Sequence, residues 1–176
     1  MIIRKINTNK LTKDNIPQDT QDVMEYFNKD LETRKMKKWI PRKTPITIKE
    51  IKNLWMPSFE TNINFVAEDN GKVIGALTVF YDINSTEYEH KHVFSEGITN
   101  TTISSEYNHE ETFKLLIKET IKELKKQNKK AYVKGAIECS EKDVLIKLGY
   151  DYEEIFSKEY KDHGLSGKGF ICHLIK

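Results

Sequence analysis

Cysteine is almost missing from this chain of 176 residues: Cys139 and Cys172 are the only two, and neither stands in a CxxC or Cys/His cluster. That excludes a disulfide framework and offers no zinc site, so both read as buried thiols. Long apolar runs are missing too, and no apolar h-region follows Arg4, Lys5 and Lys10, so no membrane partner is expected and the cytoplasm is the expected compartment. Neither sign of charge is in real excess. With 32% charged residues and a formal net charge of +2, nothing drives the whole chain toward nucleic acid. Glycine is scarce at 8 residues, with none between Gly97 and Gly135. No repeat, linker or low-complexity segment appears, and 38% hydrophobic residues suffice for one core, so a single domain over residues 1–176 is expected.

What is present alternates between strand and helix signals. Ile2 to Ile6 reads as a strand, Gln18 to Trp39 as a helix closed by Pro41 and Pro45, and Thr47 to Trp55 as a second helix closed by Pro57. Asn62 to Glu68 and Lys72 to Asp82 flank Asp69-Asn70-Gly71, which predicts a tight hairpin. His92 to Ile103 is a further strand in which Gly97 invites a bulge. A helix from about Asn108 to Gln127 follows, with Phe113, Leu116, Ile117, Thr120, Ile121 and Leu124 on one face and lysines opposite. Ala131 to Ile137 is a strand and Ser140 to Leu148 a helix stopped at Gly149. Tyr150 to Tyr160 and Lys168 to Ile175 are two more strands, the first with Tyr150, Tyr152, Phe156 and Tyr160 on one packed face.

The junction Ile103-Ser104-Ser105-Glu106-Tyr107-Asn108-His109-Glu110-Glu111-Thr112-Phe113 carries the most functional information. A strand turning into a helix exposes the helix's first N–H groups, which with its dipole suit an anion. Here Asn108 with Glu111 three residues on also reads as a capping box, in which the helix satisfies its own amides. Both readings stand on the sequence.

The order of elements resembles the GNAT acetyltransferase superfamily over nearly the whole chain. Three local matches carry the resemblance: the hairpin Phe65 to Gly75, the run Ser105-Glu106-Tyr107 with Leu115-Leu116 for a "PEYRGKGIGxxLL" loop and helix, and Lys147-Leu148-Gly149-Tyr150 for "EKLGF". The resemblance implies an α/β domain with a mixed sheet of about seven strands flanked by about four helices. It further implies acetyl-CoA as cosubstrate, transfer of its acetyl group to an amine of a small molecule or protein, and a monomer or homodimer. Pantetheine is expected against Thr102, Ile103 and Ser104, and pyrophosphate against Asn108, His109, Glu110, Glu111, Thr112 and Phe113, with a backbone N–H near Ile103 on the oxyanion. Glu96 is the expected general base, against the alternative of a solvated strand glutamate. No metal is expected.

The chain departs from that family pattern in two places. Asn108 stands for the loop's arginine and His109, Glu111 and Phe113 for its glycines, and each glutamate carboxylate a turn from a pyrophosphate would cost roughly 1 kcal/mol. Leu145 stands where the family's tyrosine protonates departing CoA, which leaves water or Cys139 for that task. A catalytically silent acyl-CoA- or partner-binding member of the same fold is therefore the alternative reading. A third, an RNA-associated module, rests on Arg34, Lys35, Lys37, Lys38, Arg42 and Lys43 around Trp39, which equally read as a solvated face. Glu89, His90 and His92 match no standard metal spacing.

Overall fold

In the computed structural model, the residues described are 1–6, 18, 63–81, 96–104, 106–158, 161 and 164–175. The two helices expected within 18–39 and 47–55, the basic cluster around Trp39 and the Glu89, His90, His92 group lie outside them, Gln18 excepted. The described elements are β1 (Ile2–Lys5), β2 (Ile63–Asp69), β3 (Lys72–Phe80), β4 (Glu96–Ile103), α1 (His109–Gln127), β5 (Lys130–Ala136), α2 (Ser140–Lys147), β6 (Glu153–Phe156) and β7 (Lys168–His173).

Seven strands form one mixed sheet in the order β1-β2-β3-β4-β5-β7-β6. The hairpin forms as expected: Asn70 at φ 50° and Gly71 at φ 76° adopt the left-handed backbone that a two-residue turn requires. The bulge does not fall at Gly97. It interrupts β2–β3 between Ala67 and Glu68, while β4 keeps a regular register with β3 from Ile98 to Ile103 and with β5 from Glu96 to Ile98. Gly97 answers a packing demand instead: a Cβ there would lie 2.5 Å from Val79 Cγ1 and 2.9 Å from the Tyr81 ring.

α1 and α2 cover one face of the sheet. Phe113, Leu116, Ile117 and Leu124 of α1 and Val144 and Leu145 of α2 join Phe65, Leu77, Ile103, Val133 and Phe170 from the strands in one buried cluster. The opposite face carries a smaller cluster of Ile6, Val66, Val73 and Ala76. Because strand side chains alternate, Gly97, Thr99, Thr101 and Ile103 belong to the helix-covered face, and Glu96, Ile98, Asn100 and Thr102 to the other.

One strand expectation is corrected. Among its described residues the segment from Tyr150 is a strand over Glu153–Phe156 alone, at the sheet edge, and Phe156 is 87% exposed. An edge strand has a single neighbour to pack against, so Phe156 stays in solvent, whereas Tyr150 packs against the core and Tyr152 meets the Phe170 ring edge-on.

Candidate active site

β4 and β5 are parallel, the only such pair among the described strands, and they stay together for just three residue pairs, Glu96↔Lys130, Gly97↔Ala131 and Ile98↔Tyr132. Both strands continue, β4 to Ile103 and β5 to Ala136, so beyond the Ile98–Tyr132 row they run unpaired and a gap opens between them. Ser104 donates its N–H to Ile74 O at 2.9 Å, on the β3 side. Alternation along an antiparallel strand then turns the N–H groups of Ile103 and Thr101 the other way, toward the gap.

The gap leads to the first turn of α1. Asn108 caps that helix, its Oδ1 accepting from Glu111 N at 3.1 Å, while Thr112 N begins the helical ladder by donating to Asn108 O at 3.0 Å. The reciprocal half of a capping box, Glu111 back to the Asn108 amide, is not formed among the described residues. One amide is therefore capped, and those of Asn108, His109 and Glu110 are left for a ligand or solvent. Residues 106 to 113 all have negative φ, so the side chains standing where the resemblance expects glycine cause no backbone strain.

Two of the expected cofactor residues are not at the surface. Thr112 and Phe113 are fully buried in the core under α1, and the Thr112 amide is already used, so neither offers a group to a phosphate. Asn108, His109, Glu110 and Glu111 do face outward, lining an open groove of about 680 Å³ between α1 and α2. Lys114, with Ser140, Val144 and Lys147 of α2 and Leu148 just past its end, completes it. Sequence reasoning missed the α2 contribution. The helical spacing of Ser140, Val144 and Lys147 carried the signal, because i, i+4 and i+7 share a face.

The charges in this groove are partly cancelled. Lys147 Nζ lies 3.2 Å from Glu110 Oε2, an exposed pair worth no more than about 1 kcal/mol and readily exchanged for a stronger anion. His109 turns toward α2 rather than into the groove's floor. Its Nδ1 lies 3.3 Å from Ser140 Oγ, its Nε2 3.3 Å from Glu141 Oε1, and its ring stacks on Phe113. It ties the first turns of the two helices together.

On the face away from the helices, Glu96 Oε2 lies 2.7 Å from His173 Nδ1. Asn64, in the row Asn64↔Thr78↔Asn100 on that same face, is 1% exposed, and neither polar atom of its amide has a hydrogen-bond partner. An unpartnered buried amide costs about 1–3 kcal/mol and calls for an explanation.

At the thiol end, Leu145 is 1% exposed and packed in the core. Burial, reinforced by Glu141, pushes the Cys139 thiol up to about 11. Donating from it to a thiolate whose thiol titrates near 8.5 would be uphill by roughly 3 kcal/mol. Cys139 is therefore a poor substitute for the tyrosine. Among the described residues no group of three His, Cys, Asp or Glu could hold a metal ion, and no helix is long and apolar enough to cross a membrane.

No family model matches the sequence, and no curated protein sequence does either. Solved structures do match. A GNAT-superfamily phosphinothricin acetyltransferase from Sinorhizobium meliloti, in complex with acetyl-CoA, is 16% identical with a TM-score of 0.69 over 98% of this chain and 86% of that one. A putative acetyltransferase from Salmonella typhimurium with its cofactor acetyl-CoA is 12% identical, TM-score 0.68, over 98% and 91%. A ribosomal-protein-alanine N-acetyltransferase from Brucella melitensis is 12% identical, TM-score 0.67, over 98% of each chain. The chain has the fold of the GNAT acetyltransferases, as the order of its elements implied.

Proposed function

We propose that this protein transfers an acetyl group from acetyl-CoA to an amine. The observation that carries the reading is the early parting of β4 from β5, which leaves the N–H groups of Thr101 and Ile103 facing a gap that leads to the uncapped amides of α1. In that reading pantetheine lies along Thr102 to Ser104, and the pyrophosphate takes the amides of Asn108 to Glu110, with Lys147 released from Glu110 to meet it. The thioester carbonyl would lie against the β4 edge, where a fixed N–H stabilises developing negative charge. Two similar structures contain acetyl-CoA, which supports this choice of cosubstrate.

The amine would approach from the face without the two helices, where Glu96 with His173 offers the only carboxylate–imidazole contact among the described residues of that face. The acceptors named for similar proteins include phosphinothricin and a ribosomal-protein alanine, so the class that carries over is the amine itself. Leu145 has no proton to give and Cys139 holds its own tightly, so in this reading water protonates the leaving thiolate.

A second reading, a silent acyl-CoA binder, is favoured by the buried Leu145 and the high-titrating Cys139. Calorimetric titration with acetyl-CoA, followed by thiol release over a panel of amines, separates the two. Binding with amine-dependent release establishes transfer; binding without release establishes the silent reading; no binding removes both.

A further inference from the structure

His173 closes β7 and pairs with Tyr132, which in turn pairs with Ile98. These three residues form the last row before β4 and β5 separate, so His173 stands in the row at the vertex of the gap, its imidazole on the face opposite α1 and α2. It leans over β5 to reach Glu96, one strand further and two residues back along β4. An ionised carboxylate only accepts hydrogen bonds, so the Nδ1 facing it at 2.7 Å carries the proton and Nε2 holds a lone pair. The His173 side chain is 38% exposed and that of Glu96 16%, so the imidazole is the outer partner. On that face the described strands also carry Tyr132, its ring tilted beside His173, Lys130 and Lys134 of β5, Glu153 of β6, and Arg4 and Glu68 toward the other edge of the sheet.

We propose that His173 is the general base of this site and that Glu96 is a positioning residue which fixes its tautomer and offsets the charge it gains. The inference rests on the acyl-transfer reading. A base must present a lone pair to the acceptor, and the outer imidazole does so at Nε2 while the Glu96 carboxylate is turned to Nδ1. The acceptor's N–H proton passes to His173 Nε2 as the nitrogen lone pair forms the new C–N bond. The C–S bond then breaks with its electron pair on sulfur, the thiolate takes a proton from water, and the imidazolium returns one, so that amine and thioester become amide and thiol.

The test compares the wild type with H173Q, H173N, E96A and E96Q. It uses acetyl-CoA, a panel of primary amines spanning peptide N-termini, lysine side chains and polyamines, and ¹⁵N NMR of the imidazole. Expected results are wild-type Nδ1–H tautomer, loss of kcat by about 10²- to 10⁴-fold in both His173 variants with acetyl-CoA affinity retained, and loss of the low-pH limb of the rate profile. E96A should lose less, with mixed tautomers and little change in KM for the amine; E96Q should recover part of the loss, because its amide oxygen still accepts from Nδ1–H. Wild-type turnover with H173Q within about threefold of it, or a wild-type Nε2–H tautomer, would overturn the assignment alone. Acetyl-CoA binding with no thiol release from the wild type on any amine would remove the acyl-transfer reading, and this assignment with it.

Discussion

The first turn of α1 and the vertex of the gap make opposite use of their residues. At the helix, side chains differ from the family's loop at four positions, yet the groups that would meet a phosphate are backbone amides, and those of Asn108, His109 and Glu110 remain open. At the vertex the backbone is ordinary strand, and whatever chemistry occurs there depends on two side chains, Glu96 and His173, held 2.7 Å apart. Backbone-borne function tolerates substitution because every residue but proline supplies an N–H. Side-chain function does not, so substitutions should be costly at the vertex and mild at the helix.

The largest contrast is expected from H173Q against E110Q. The first should remove two to four orders of magnitude from kcat. The second should tighten acetyl-CoA by no more than about fivefold in titration calorimetry, because Lys147 already offsets much of the Glu110 charge. Placing a tyrosine at position 145 should not supply the thiol end with its acid. Leu145 is 1% exposed, and L145Y should lower stability by about 1–3 kcal/mol in chemical unfolding without raising turnover.

Smaller again is N108A, which deletes the cap on Glu111 N. It should cost about 1 kcal/mol of stability in thermal unfolding while leaving acetyl-CoA affinity within about threefold, since it frees an amide and removes none. The pH arm concerns Cys139, whose thiol is raised from an ordinary 9.0 to about 11. The unfolded chain loses that proton first, so stability falls as pH rises from about 9 to 11 and is unaffected below. The buried Cys172 thiol, likewise pushed up to about 11, falls in the same window, so C139S should remove roughly half of that fall in a pH series of unfolding midpoints.

Much of the sheet was legible in the chain because its signals are local. Asn70-Gly71 fixed the hairpin turn, the spacing of Phe113, Leu116, Ile117 and Leu124 fixed α1, and Gly149 at φ 84° closes α2. The position of the bulge was not legible, since Gly97 is a glycine for lack of room beside Val79 and Tyr81, a constraint set by another strand. The site divides the same way. Asn108 announced its cap in sequence, whereas Lys147 reaches Glu110 and His173 reaches Glu96 only through folding, across 37 and 77 residues. Thr112 and Phe113 show the limit of carrying a loop motif across residue by residue: in this chain the helix starts early enough to turn both into the core.

The central claim is that the unpaired edge of β4 and the open amides of α1 hold acetyl-CoA along one path. Titration of the ¹⁵N-labelled protein with acetyl-CoA, read at the amides of Thr101, Ile103, His109 and Glu110, tests it most directly. The account predicts that all four signals shift together along one saturating curve, with slowed hydrogen exchange at Thr101 and Ile103. Saturable binding that leaves the four amides unmoved, or no binding at millimolar acetyl-CoA, would contradict it.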